Sequence, residues 1–82
     1  MKIPLSITLE DIADGIRRDC HECPVALAMI RAGCAEVQVG PYWMIFTFHG
    51  SHKIITPFTL AQFMNAFDAR ESVSPFQYTL SV

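Results

Sequence analysis

Two pairs of metal-ligating side chains are the first features of this sequence that could do chemistry. Cys20 and Cys23 are separated by two residues in "CHEC", and His49 and His52 have the same separation in "HGSH". Thiolate and imidazole ligands in two close pairs could build a tetrahedral zinc site, and such a site would stabilise a small domain. Zinc fingers usually place about three to five residues between their histidines. A buried cysteine at a helix start and a polar turn are therefore the alternative interpretation.

The same "CHEC" segment could support thiol redox chemistry. A cysteine at a helix N-terminus has its thiolate favoured by the partial positive charge there, and a neighbouring cysteine could resolve a mixed disulfide. Thioredoxin-like motifs follow a strand in a βαβ unit, whereas a helix precedes this one, and Cys23 rather than Cys20 lies at the predicted cap. A thiol oxidoreductase is thus a weaker hypothesis than zinc binding, and Cys34 is interpreted as a core residue.

The remaining polar residues suggest no catalytic set. Four carboxylates lie on or just after the first predicted helix, and we interpret them as a solvated face without a basic or nucleophilic partner: Asp11, Asp14, Asp19 and Glu22. The sequence contains no P-loop, G-x-G-x-x-G, G-x-S-x-G or H-E-x-x-H motif. We therefore predict that the protein is not an enzyme and has no cofactor, with zinc as the one alternative.

Composition narrows the class of protein further. The 82 residues suit a single domain (1–82), and 51% hydrophobic with 17% charged residues weighs against disorder. A net charge of −2 with six scattered basic residues argues against nucleic-acid binding. No apolar run reaches membrane-spanning length, the N-terminus lacks signal-peptide features, and three cysteines fit a reducing compartment. These features predict a cytoplasmic protein with neither a membrane nor a nucleic-acid partner.

Three helices are predicted from capping residues and apolar spacing. In the first, Thr8 caps, Asp11 stands three residues on, and an apolar stripe follows at Leu9, Ile12, Ala13 and Ile16. The second has Cys23 at the cap, Pro24 at the first helical position and Gly33 as the C′ residue, and it is apolar on nearly all sides. The third has a Thr59–Gln62 capping box and a stripe at Leu60, Phe63, Met64 and Phe67.

Alternating and apolar runs predict the strands. "KIPLSI" resembles an edge strand, "AEVQV" and "KIIT" flank the aromatic "YWMIFTF", "HGSH" forms a hairpin turn, and "FQYTLSV" is the last strand. Because it is apolar on both faces, "YWMIFTF" is predicted to be central. The order is (β)ααβββαβ, which predicts an α+β domain with a small antiparallel sheet of three to five strands and three helices on one face.

The aromatic strand is the strongest functional lead. Helices can cover one side of the sheet, so the other side could expose an apolar patch, and such patches mark partner surfaces. The predicted interface residues are Tyr42, Trp43, Met44, Phe46 and Phe48. The patch would bind a second copy of the chain, most simply as a homodimer, or another protein. Two alternatives stay open: the sheet or its loops cover these rings, or an oligomer seam binds a small ligand.

Several segments together resemble a family of small uncharacterised bacteriophage and bacterial mobile-element proteins. They are "EDIADGIRRDCHECPVALAMIRAG", the strand "VQVG", the helix end "FMNAFD" and the terminal "SPFQYTL". The family commonly carries a Cys-Pro-(Val/Ile)-Ala-Leu-Ala helix start, which corresponds here to Cys23–Ala28, and the paired histidines are not part of the shared pattern. The resemblance implies a phage or prophage accessory protein in the host cytoplasm, where it could bind and modulate a host protein.

Overall fold

The computed structural model describes residues 1–82, which form five strands and three helices in the order βααβββαβ. The strands are β1 (Lys2–Ile7), β2 (Ala35–Val39), β3 (Trp43–Thr47), β4 (Ser51–Ile55) and β5 (Phe76–Ser81), and the helices are α1 (Leu9–Asp14), α2 (Pro24–Arg31) and α3 (Phe58–Asp68). The predicted α+β class and element order are confirmed. No helix is long and apolar enough to cross a bilayer.

The strands divide between two antiparallel sheets. β1 pairs with β5 along its whole length, and β2, β3 and β4 form a three-stranded sheet with β3 in the centre, as predicted for the aromatic strand. α2 packs against both β1 and β2 and so joins the two sheets around one core. The five strands therefore share a core without sharing a hydrogen-bonded ladder.

The start and end of α2 agree with the sequence prediction. Cys23 is the N-cap, its sulfur accepts a hydrogen bond from the Ala26 N–H at 3.4 Å, and Pro24 occupies the first turn. Gly33 follows the helix with a φ of +104°, a conformation that favours glycine. One side of the helix is buried, but Ile30 is exposed on the other side, so α2 is less enclosed than its apolar composition predicted.

The other two helices differ from their predicted limits. Thr8 and Asp11 form a true capping box, but α1 ends at Asp14. The predicted apolar stripe is wrong, because Leu9, Ala13 and Ile16 are exposed and only Ile12 packs against the core. The Thr59–Gln62 capping box is wrong: α3 begins at Phe58 with Pro57 as its N-cap, which places Thr59 inside the first turn. The predicted stripe of α3 is buried in full, at Leu60, Phe63, Met64 and Phe67.

Candidate interaction surface

β3 presents one apolar face to the core and the other to solvent. Met44 and Phe46 are almost fully buried, in one cluster with residues of α2 and α3, while Phe48 is half-buried. The prediction that Met44 and Phe46 belong to an exposed interface is therefore wrong. Both faces of the strand are apolar, and helix packing selects which one is covered. Trp43 and Ile45, on the opposite face, remain exposed.

An outer apolar patch surrounds Trp43. We define it as five large side chains whose exposed fractions run from 41% at Ile45 to 77% at Tyr42, namely Tyr42, Trp43, Ile45, Ile55 and Phe58. Trp43 lies opposite Ile55 in the β3–β4 ladder. Tyr42, Trp43, Ile55 and Phe58 line one cleft of about 890 Å³ between the sheet and the start of α3. Ile55 and Phe58 were not among the predicted interface residues. The register of the β3–β4 hairpin places Ile55 opposite Trp43, and the return of the chain into α3 brings Phe58 to the same cleft.

Local hydrogen bonds hold this end of the sheet in place. The buried Thr56 donates its hydroxyl to the Gly40 carbonyl at 2.7 Å and its backbone N–H to the Tyr42 carbonyl at 2.9 Å. On the same outer face, the Lys53 ammonium lies 5.2 Å from the centroid of the Trp43 ring, within cation–π range. The patch therefore combines exposed apolar side chains, on a hydrogen-bonded backbone, with one positive charge.

The β4 edge of the three-stranded sheet is open. Two hydrogen bonds show which residue pairs of the β3–β4 ladder are hydrogen-bonded: Thr56 N–H to Tyr42 C=O, and Phe48 N–H to Gly50 C=O. Hydrogen-bonded and non-hydrogen-bonded pairs alternate between these two ends. The non-hydrogen-bonded pairs of this ladder consequently include Ser51, Lys53 and Ile55. The backbone N–H and C=O groups of these three residues point away from β3. No other backbone segment of the chain hydrogen-bonds to these groups.

The β2 edge is covered by the "CHEC" segment. Val39 donates its N–H to the Cys20 carbonyl at 2.8 Å, and His21 Nδ1 donates to the Val37 carbonyl at 3.0 Å. A β-bulge between Ala35 and Gln38 further distorts this edge. Residues 20 and 21 thus provide partners for two outward backbone groups of β2, a role for the "CHEC" segment that the sequence analysis did not identify.

The four predicted zinc ligands do not assemble in the structure. Cys20 is exposed, Cys23 is buried at its cap, and His49 is exposed in the β3–β4 turn. The His52 ring stacks on Phe46 at 5.2 Å, and its Nε2 is 2.9 Å from the Phe48 carbonyl oxygen. No group of three or more His, Cys, Asp or Glu side chains is placed to hold a metal ion. Zinc binding stays a prediction.

The environment of the buried thiols disfavours a reactive thiolate. Desolvation raises the pKa of the Cys23 thiol, although the backbone N–H groups of Ala26 and Val25 act in the opposite direction. Burial also raises the pKa of Cys34. A nucleophilic cysteine needs the opposite shift, since the thiolate is the reacting species. The helix cap at Cys23 therefore gives little support to an oxidoreductase.

Two of the four carboxylates in the α1 region, Asp11 and Asp19, have structural partners. The prediction that Asp11 lies on a solvated face is wrong, because its side chain is buried. Both of its carboxylate oxygens accept hydrogen bonds from the Arg31 guanidinium, at 2.8 and 2.7 Å. The hydrogen bonds from Arg31 lower the pKa of Asp11, although burial opposes them. Asp19 Oδ1 accepts the N–H groups of His21 and Glu22 and shapes the turn before α2. Asp11 and Asp19 therefore have structural roles in the fold.

The outer face and the open edge of β4 are the surface on which a functional interpretation depends. No protein-family model, curated protein or solved structure matches this chain. At this surface, exposed apolar side chains, a positive charge and free backbone hydrogen-bonding groups lie together. Such a surface is suited to binding a protein chain.

Proposed function

We propose that this protein is a non-enzymatic interaction module that binds another protein through the outer apolar patch. The observation that carries the proposal is the clustering of five exposed large apolar side chains: Tyr42, Trp43, Ile55 and Phe58 line one cleft, and Ile45 shares the outer face of β3 with Trp43. Contiguous exposed patches of this kind mark interaction sites. Each aromatic side chain can bury about 150–250 Å², so three aromatics and two isoleucines supply a large share of the roughly 800 Å² per partner in a standard interface.

The resemblance to phage and mobile-element proteins supports a host protein as the partner. In that context the protein is an accessory factor in the host cytoplasm, and binding modulates the activity of its target. Self-association through the same patch, as a homodimer, is the alternative use of the surface. A small ligand seated in the cleft is a further alternative, and native mass spectrometry of protein purified from cells tests it.

A single substitution in the patch tests the proposal. Trp43→Ser removes the central ring, whereas Ile30→Ser removes an apolar side chain of similar exposure (51%) outside the patch. If the partner is a host protein, capture from a host lysate should change for Trp43→Ser and not for Ile30→Ser. If the partner is a second copy, light scattering after size exclusion should show the same contrast. A strictly monomeric protein whose captured partners are the same with and without Trp43 would contradict the proposed role.

A further inference from the structure

Resting on the interaction role proposed above, we infer that the open edge of β4 accepts an extended segment of a partner protein that carries an acidic side chain opposite Lys53. The edge offers the N–H and C=O groups of Ser51, Lys53 and Ile55 to an incoming strand. Strand addition uses such groups for affinity and the side chains that flank them for specificity. An extended segment of about five residues would span β4, which has five residues itself.

Lys53 favours a negatively charged side chain on the incoming segment. Its side chain lies on the outer face, opposite Ile45 and over the Trp43 ring. A residue of an added strand directly opposite Lys53 would have its Cβ about 4.5–5.5 Å away, where opposite charges attract and like charges repel. An aspartate or glutamate at that position therefore gains a cross-strand ion pair with a lysine that the ring already orients.

The same lysine disfavours a second copy of this chain at the edge. A twofold antiparallel pairing that uses Ser51, Lys53 and Ile55 on both strands must be centred on Lys53 and would place the two ammonium groups directly opposite each other. Lysine on an edge strand commonly prevents such edge-to-edge pairing. Charge complementarity favours an acidic partner.

The cleft beside Ile55 supplies the second element of recognition. It opens at the C-terminal end of β4, and Trp43 and Phe58 form its apolar walls. Alternate residues of a strand share one face, so a residue two positions from the acidic side chain would lie beside Ile55. An apolar side chain there would fill the cleft, which predicts a partner segment with an acidic and an apolar residue two positions apart.

The other free edges lack this combination. On β1, Pro4 has no N–H, and the Ser6 carbonyl accepts a hydrogen bond from Arg31 Nη2 at 2.6 Å. The outer edge of β5 is open, but the side chains beside it are exposed and polar, at Gln77, Thr79 and Ser81. Only β4 has unpaired backbone N–H and C=O groups that lie beside both an apolar cleft and a positive charge.

The single tryptophan allows a direct binding experiment, because Trp43 is the only one in the chain. The full-length protein is titrated with a capped seven-residue peptide that has a central glutamate among valines and threonines, and with a matched peptide that has a central lysine. The glutamate peptide should shift the fluorescence of Trp43 and saturate, and the lysine peptide should bind about tenfold more weakly. Lys53→Glu should reverse this preference.

N-methylation of the peptide tests the backbone contacts. Two versions of the glutamate peptide are methylated at alternate nitrogen atoms, so that one blocks the N–H groups facing β4 and the other blocks those facing away. One version should lose binding at least about tenfold and the other should retain it. Equal effects of the two versions would overturn strand addition, even if the peptide bound.

Other outcomes separate this inference from the interaction role. No fluorescence change at about 1 mM peptide, or equal binding of both peptides, would overturn the acidic-strand inference. A wild-type dimer that the glutamate peptide does not dissociate would also overturn the acidic-strand inference. In each case the interaction role would still stand if Trp43→Ser changed lysate capture or oligomeric state, and it would fail separately if that substitution changed neither.

Discussion

The two edges of the three-stranded sheet differ in how their backbone groups are satisfied. At β2, the Cys20 carbonyl accepts from the Val39 N–H, the His21 ring donates to the Val37 carbonyl, and a bulge distorts the strand. At β4, the outward groups of Lys53 and Ile55 have no backbone partner in the chain and lie beside the outer apolar patch. An uncovered edge invites pairing with other chains. With one edge covered and the other open, we expect the proposed association at the β4 side of the molecule.

The segment that covers β2 is held by many contacts of its own. Arg17 Nε donates to the Phe67 carbonyl at 3.1 Å, and its guanidinium lies 5.0 Å from the Phe67 ring centroid. The Arg18 N–H donates to Asp68 Oδ1 at 2.9 Å, and the Ile16 N–H donates to the Glu22 carbonyl at 2.9 Å. These bonds anchor the α1–α2 connection to α3, so the cover is a fixed part of the fold.

Hydrogen exchange should show the largest contrast between the edges. The Val39 amide, bonded to Cys20, should exchange at least about a hundredfold more slowly than the Lys53 and Ile55 amides, which point into solvent. The Ile54 amide, paired with Met44, is the protected control on the same strand. Residue-resolved exchange by NMR measures all four. Exchange at Val39 as fast as at Ile55 would remove the distinction between the edges.

Asp11→Ala should cause the largest loss of stability. It removes the partner of Arg31 and one half of the Thr8 capping box, and so loosens α1 at the start of the covering segment. Breaking a fully buried pair costs about 3–5 kcal/mol. Because the Arg31 side chain is 50% exposed, solvent screens the guanidinium, and we expect about 2 kcal/mol in the free energy of unfolding measured with urea. Asp14→Ala, on the exposed side of α1, is the control.

The contribution of Asp11 should also depend on pH. Hydrogen bonds from Arg31 lower the pKa of Asp11 in the folded state below the 3.8 of an unperturbed aspartate. The stabilisation is therefore complete above that unfolded value and is lost as the pH falls through the lower folded pKa. The difference in unfolding free energy between wild type and Asp11→Ala should stay constant from neutral pH to about 5 and shrink below about 4. A difference that persisted unchanged at low pH would contradict the ion pair.

Gly15→Ala should displace the covering segment from β2. A Cβ at this position would lie 2.6 Å from Pro24 Cδ and 2.7 Å from the Asp11 carbonyl oxygen, so the α1–α2 connection must move. Such overpacking costs about 1–3 kcal/mol. We expect reduced thermal stability and faster amide exchange at Val39. Exchange at Ile54 should increase only as much as the loss of global stability requires. Unchanged protection at Val39 relative to Ile54 would show that the cover does not depend on this contact.

His21→Ala should have a small effect that is confined to the covered edge. It removes the hydrogen bond to the Val37 carbonyl, and because His21 is exposed, water replaces the lost donor. We expect about 0.5 kcal/mol in unfolding free energy. Glu22→Ala, at an exposed neighbour whose side chain makes no hydrogen bond, is the control. If His21→Ala alone lowered the unfolding free energy by more than about 2 kcal/mol, the His21 ring would contribute more than its hydrogen bond at the β2 edge.

Metal chelation should produce the smallest effect. Cys23 is engaged as a helix cap, and His52 stacks on Phe46 and bonds to the Phe48 carbonyl, so both have protein partners already. The melting temperature should be the same with and without a chelator. Stoichiometric zinc in purified protein, with a melting temperature that falls on chelation, would instead support the zinc hypothesis for Cys20, Cys23, His49 and His52.

Features governed by residues close in sequence were predictable. The Cys23–Pro24 start of α2 and the Thr8–Asp11 capping box depend on hydrogen bonds within about three residues. The Thr59–Gln62 box failed because Pro57 caps α3 and begins the helix earlier. Asp11 looked like a surface carboxylate because its partner, Arg31, lies twenty residues away. The candidate surface was predicted in part, since Tyr42 and Trp43 are exposed but Met44 and Phe46 are buried.

The sequence by itself determined the order of the elements and the apolar periodicity of each one, because these are properties of neighbouring residues. Only the tertiary structure decided which face of β3 stays open, since both faces are apolar and helix packing selects between them. It also decided that residues 20 and 21 cover one edge of the sheet while Lys53 and Ile55 leave the other free. Such placements depend on contacts between distant segments, and local spacing does not specify them.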